Sequence, residues 1–205
     1  AVMNENLDFL ELLLSHPNID INSLCEGVSE QKVIKRKTAL HIAVQKGNLD
    51  IILLLLTQPN IDIKIKYLDE KHESTLLCLA AECKKLQDSE YLLKNYSIDK
   101  SRIEKYNSIK NNCLEVFNLL LSLPDVDINE KSVFTQGSTN IEKAPLNILV
   151  ENGLVDFLKS LLSEPNLDIN SRMIIKSKQK DVLSMTALHG AIKNLIYKKF
   201  ENKVS

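Results

Sequence analysis

The stretch Leu12-Leu13-Leu14-Ser15-His16-Pro17-Asn18-Ile19-Asp20-Ile21-Asn22 decides the fold, because the chain writes it four times. It returns as Leu54-Leu55-Leu56-Thr57-Gln58-Pro59-Asn60-Ile61-Asp62-Ile63-Lys64, then in looser form around Pro124, ending at Asn129, and around Pro165, ending at Asn170. Four of the five prolines occupy this phrase, at spacings of 42, 65 and 41 residues. Self-similarity at such a period means stacked units, none of which can bury its apolar face alone. The leucine run before each proline is nearly unbroken, as suits a helix held between neighbours. Proline disfavours helix at the residue before it and so closes the element. The Ile-Asp-Ile that follows alternates like a short extended segment.

A second phrase lies upstream of the first. Thr38-Ala39-Leu40-His41-Ile42-Ala43 is echoed by Thr186-Ala187-Leu188-His189-Gly190-Ala191, and more weakly by Thr75-Leu76-Leu77-Cys78-Leu79-Ala80 and Ala144-Pro145-Leu146-Asn147-Ile148-Leu149. Thr38 is a good N-cap for a helix running to about Lys46. Gly47 ends that helix where a left-handed residue is wanted. A second helix is expected from near Asn48, with Asp50 in its first turn, where a negative charge suits the helix dipole.

These phrases resemble the ankyrin signature T-P-L-H-x-A and its two-helix continuation, over nearly the whole chain. Pro-Asn stands where ankyrin repeats usually turn on glycine, lengthening the turn by one residue. The resemblance implies an all-α fold: an ankyrin-like α-solenoid of stacked helix-turn-helix repeats with long hairpin-type finger loops. The array divides into a partial repeat at 1–22, repeats at 38–64, 75–129 and 144–170, and a partial or capping repeat at 186–205. The fingers run Ser23 to Lys37, Ile65 to Ser74, Glu130 to Lys143 and Ser171 to Met185, with strand character at Val33-Ile34 and Met173-Ile174-Ile175.

Two irregularities stand out. Ala1-Val2 matches Ala43-Val44 at an offset of 42, so the chain is expected to start inside a first helix, as a piece of a longer protein. The tail from Leu195 to Ser205 either folds back as a cap through Leu195, Ile196 and Phe200 or marks another cut. The repeat from Thr75 holds 28 extra residues, roughly 84–111, including Tyr91-Leu92-Leu93 and Tyr96. They are expected to prolong the first helix or pack as an extra one, as a bland extension or a binding element.

Chemistry is sparse. Cys25, Cys78, Cys83 and Cys113 form no C-x-x-C pair, and no histidine lies at a zinc-like offset, so buried thiols in a reducing compartment are expected. The resemblance gives His41 and His189 a structural role in tying repeats together; His16 and His72 have no evident catalytic or metal partner. Asp20, Asp62, Asp127 and Asp168 recur singly, as turn residues do, and not as a calcium loop does. No phosphate loop, nucleophile elbow or metalloprotease motif occurs. No enzyme activity and no cofactor are expected of this region.

With a net charge of −1 and 5% aromatic residues, the chain is not built to hold nucleic acid or an anionic membrane. The first finger carries Lys32, Lys35, Arg36 and Lys37, and the last Arg172, Lys176, Lys178 and Lys180, which suits an acidic protein partner or describes a solvated loop. The candidate binding residues are Gln45, Lys46, Glu82, Cys83, Glu151, Asn152, Lys193 and Asn194 at the ends of the first helices. Lys35, Arg36, Tyr67, Phe134, Arg172 and Lys176 join them from the fingers, Tyr and Arg being favoured at hot spots. The expected protein is a monomeric, cytoplasmic protein-interaction module. Its alternatives are a targeting module of a larger protein, delivered to a host cytoplasm if the source is an intracellular bacterium, and a structural spacer.

Overall fold

The computed structural model describes residues 7–28, 34–82, 100–177 and 182–204. Expectations for Ala1-Val2, Lys32, Val33, Cys83, Tyr91 to Tyr96, Lys178 and Lys180 lie outside the described residues. Helix α1 (Leu7–Leu14) is followed by strands β1 (Cys25–Val28) and β2 (Ile34–Lys37), then helices α2 (Ala39–Lys46) and α3 (Leu49–Leu56). Strands β3 (Tyr67–Leu68) and β4 (His72–Ser74) lead into α4 (Leu76–Glu82) and, further on, α5 (Lys100–Leu121). Strands β5 (Ser132–Gln136) and β6 (Thr139–Lys143) precede α6 (Pro145–Asn152) and α7 (Val155–Leu162). Strands β7 (Arg172–Ser177) and β8 (Val182–Thr186) precede α8 (Ala187–Val204).

Local chemistry sets the helix ends. The Thr38 side chain accepts from the His41 N–H, and the Asn48 side chain accepts from the Ile51 N–H at 3.1 Å. Between α2 and α3, Gly47 takes φ +60°, and its N–H reaches the Ala43 and Val44 carbonyls; Gly153, between α6 and α7, takes φ +67° and does the same. The first helices α2, α4, α6 and α8 stack in one row, and the second helices α3, α5 and α7 in another. Leu40, Ile51, Ile52, Leu55, Leu77, Phe117 and Phe157 are among the side chains buried between the rows.

The fold is not all-α, and that expectation is corrected. The fingers are strands, and all eight zip into one antiparallel sheet in chain order. Each finger is a hairpin, but the pairing also crosses from finger to finger: Arg36 opposite Leu68, His72 opposite Phe134, and four registered pairs from Thr139–Ser177 to Glu142–Ile174. Stacking the helices sets neighbouring fingers side by side, and their backbone N–H and C=O groups then pair instead of facing water.

The proline turns hold a second ladder. The Asn22 amide donates to the Asn60 carbonyl at 2.7 Å and accepts from the Asp62 N–H at 2.9 Å. Asn129 repeats both bonds with Asn166 and Asp168, each at 2.8 Å. Asp20, Asp62, Asp127 and Asp168 each accept the N–H two residues on, holding the turn open for the neighbour. Asn129→Ala removes both bonds at a solvent-exposed turn, so a loss of about 1–2 kcal/mol is expected in urea unfolding, against near zero for Asn170→Ala.

The insertion is described in part, residues 84–99 of it lying outside the described residues. Residues 100–111 of the insertion neither prolong the first helix nor form a separate one; they extend the second helix α5 at its start. There Lys110 Nζ reaches Asp156 Oδ2 of α7 at 2.6 Å. Helix α8 runs unbroken to Val204 with Leu195 exposed; the side chains of Ile196 and Phe200, on which the expected cap also rests, lie outside the described residues.

Candidate functional site

The second and third fingers are tied to the C-terminal ends of first helices by polar side chains. Gln45 at the end of α2 hydrogen-bonds Tyr67 of β3. The Ser74 hydroxyl of β4 donates to Glu82 Oε1 at the end of α4, 3.1 Å. Lys143 Nζ of β6 donates to Glu151 Oε2 near the end of α6, 2.5 Å. Ser74 with Glu82 and Lys143 with Glu151 occupy the same two positions of successive units, while Gln45, at the place of Glu82 one unit earlier, reaches the following finger instead.

Between these ties runs a half-exposed strip. The Tyr67 hydroxyl donates to Asp69 Oδ2 at 2.8 Å. Asp69 Oδ1 accepts from the backbone N–H of Lys71 at 2.8 Å, from that of His72 at 2.9 Å, and from His72 Nδ1 at 3.0 Å. The His72 ring stands edge-on to Phe134, centroids 5.2 Å apart at 75°. Lys143 Nζ lies 5.1 Å from the Phe134 ring centre. Every member is fixed by a neighbour before any ligand arrives.

Protonation follows from burial and these bonds. Burial pushes Tyr67 up to about 12, reinforced by Asp69, so the phenol stays neutral. Burial alone would raise Asp69, but the Lys71 N–H, the Tyr67 hydroxyl and His72 together hold its carboxyl below the usual range. Burial raises Glu82, offset in part by the Ser74 hydroxyl. Burial lifts the Cys78 thiol to about 11 and drops His41 to about 4. Neither is an available nucleophile or base on this surface. Among the described residues no three His, Cys, Asp or Glu side chains are grouped to hold a metal ion, and no helix is long and apolar enough to cross a membrane.

The structure thus draws together Gln45, Tyr67, Glu82, Phe134 and Glu151 from the sequence candidates. It leaves the others apart. Lys35 and Arg36 lie exposed on β2, Lys46 and Asn152 at helix ends, and Lys193 on α8. Arg172 Nη1 is 3.5 Å from the Ser184 hydroxyl. Lys176 is paired with Glu142 of the neighbouring finger, which offsets part of the last finger's positive charge. The Asn194 amide donates to the Val150 and Glu151 carbonyls at 3.1 and 3.3 Å, closing the end of α6. Sequence reasoning missed Asp69, His72 and Lys143. The Asp69-to-His72 spacing of three in a tight turn was the one local signal for the first two.

A family model described as ankyrin repeats, in three copies, matches residues 1–103. No curated protein matches the chain.

Proposed function

Because the chain belongs to the ankyrin repeat family, we propose that it is a non-catalytic module that binds a protein partner across the strip from Tyr67 to Lys143. Repeats of this family are generally protein–protein interaction modules. The observation that carries the reading is the pre-set array of Tyr67, His72, Phe134 and Lys143, contributed by two fingers and locked by hydrogen bonds and ring contacts. Rigid aromatic side chains beside paired charges bind at low cost in side-chain entropy. The partner segment is acidic: Lys35, Arg36 and Lys37 on β2 and Lys71 at the β3–β4 turn flank the strip and favour a negative chain by electrostatic complementarity.

The test is a pull-down from lysate read by quantitative mass spectrometry. Wild type is run beside Tyr67→Ala/Phe134→Ala and beside Lys35→Glu/Arg36→Glu, each checked for helix content by circular dichroism. Proteins held by wild type should fall about tenfold or more with the first variant. They should fall less with the second, and the loss should shrink as salt rises. Identical protein lists for wild type and the aromatic variant would refute the assignment.

A further inference from the structure

We propose, on the premise that the strip is the binding surface, that the partner segment is an amphipathic helix laid across the fingers, acidic where it passes β2 and aliphatic where it passes β5, β6 and β7. Residues directly opposite each other in neighbouring strands project from the same face of a sheet, and successive residues along a strand project from opposite faces. His72 is opposite Phe134, Phe134 opposite Ile141, Ile141 opposite Ile175, and Ile175 opposite Leu183. The ring contact between His72 and Phe134 fixes this as the face of the strip. The strip therefore does not stop at Lys143. It runs on as an aliphatic row over the last two fingers, with Ile141 and Ile175 half-buried.

The charges of these fingers are sorted away from the row. On its face the strands β5 to β8 carry one charged side chain among the described residues, Lys143, which is paired with Glu151. The other positions beside the row are Ser132, Gln136, Thr139 and Ser177, with Met173 and Met185. Glu142, Arg172 and Lys176 stand on the opposite face, where Lys176 pairs with Glu142. Strand β2 is the reverse. Arg36 is opposite Leu68, so Lys35 and Lys37 on either side of it share the face of Tyr67 and Asp69. Lys71 is exposed in the turn that follows Asp69. One end of the face thus favours an acidic segment by charge, and the other favours an apolar one by burial.

Spacing along the row selects a helix. Successive members are one strand apart, about 4.8 Å. A helix lying along the row brings a side chain to the same side once a turn, about every 5.4 Å. An extended segment does so about every 6.6 Å. Between Phe134 and Leu183, on strands β5 to β8, the helix falls out of step by about 2 Å and the extended segment by about 5 Å. From β2 to β8 the sheet is about 29 Å across, the length of about 19 helical residues. Aliphatic anchors at three- and four-residue spacing would then meet Phe134, Ile141 and Ile175 in turn.

Selection of random peptides of about 20 residues, displayed on phage, against the full chain tests this. Enriched sequences should hold acidic residues in one half and aliphatic residues at helical spacing in the other. A synthetic copy of one of them should gain helix on binding, read by difference circular dichroism. Ile141→Thr/Ile175→Thr should weaken its binding about tenfold or more in fluorescence anisotropy. Val133→Thr/Ile174→Thr, which makes the same change on the opposite face of the same two fingers, should alter it less than about twofold. Threonine is β-branched like the residues it replaces, so both variants keep their strand propensity. Enrichment of no peptide, enriched sequences without the pattern, binding without a gain of helix, or equal losses in the two threonine variants would each overturn the proposal. Peptides lost with Tyr67→Ala/Phe134→Ala but not with Ile141→Thr/Ile175→Thr would overturn the aliphatic row and leave the strip standing. Peptides indifferent to Tyr67→Ala/Phe134→Ala would refute the strip itself.

Discussion

Phe157→Ala should cost about 3–5 kcal/mol, the largest loss expected from any single truncation in this chain. Phe157 of α7 is fully buried, and its ring lies 5.4 Å from that of Phe117 of α5, tilted by 53°. With few aromatic residues in the chain, this pair fills the space between two second helices where leucine fills the others. Truncation leaves a cavity that flanking helices, each pinned by its own turn ladder, cannot close. Phe117→Ala should cost a similar amount, and the double variant should fall short of the sum by about 1 kcal/mol, the coupling of the two rings. Leu162→Ala, half exposed on the same helix, should cost well under 1 kcal/mol. Stability in a stacked array is passed from neighbour to neighbour. Hydrogen exchange in Phe157→Ala should therefore quicken more in α6 and α7 than in α2 and α3. Equal acceleration throughout, or a loss below 1.5 kcal/mol, would mean that the pair does not hold this interface.

What the sequence disclosed and what it hid divide along a physical line. Helix starts and stops depend on residues within four positions of each other. Thr38, Asn48 and Gly47 could therefore be read directly, and so could the turn aspartates and the repeat family. The sheet depends on partners in different fingers, such as Arg36 and Leu68, or His72 and Phe134 across the insertion. Strand β3 has only two residues, and β2 is mostly charged, so neither shows strand propensity by itself. Their pairing is made by the helix stack beneath them. The same holds for charge. Counting within a finger gave a basic last finger, while Lys176 meets a carboxylate of the finger before it. Tyr67 and Phe134 could be singled out as aromatic residues in polar loops, and Asp69 and His72 join Tyr67 within one finger, but that His72 then meets Phe134 of the next finger is a fact of stacking.

Lowering the pH should destabilise the protein through His41, by roughly 3 kcal/mol between pH 6.5 and pH 4. The backbone N–H of Thr38 can only donate, and it lies 3.1 Å from His41 Nδ1. That nitrogen therefore accepts, the proton sits on Nε2, and Nε2 donates to the Ile65 carbonyl at 2.9 Å. The ring is neutral and buried, and burial holds its pKa down at about 4, offset only in part by the Ile65 carbonyl, against 6.5 in the unfolded chain. The unfolded state thus binds the proton first. The contribution is complete above pH 6.5, declines as pH falls through the window, and is gone below about 4. Asn147 shows how to remove the titration without removing the bonds. Its Oδ1 accepts from the Ala144 N–H at 3.1 Å and its Nδ2 donates to the Ser171 carbonyl at 3.5 Å. His41→Asn should hence stay folded at pH 7 with a flatter stability curve between pH 6.5 and 4, while His41→Ala should lose about 2–4 kcal/mol at pH 7 by orphaning two buried backbone groups. Carboxylates titrate equally in wild type and the asparagine variant, so the difference between their urea-derived stability curves isolates the imidazole. Parallel curves would show that the ring is not buried in its neutral form.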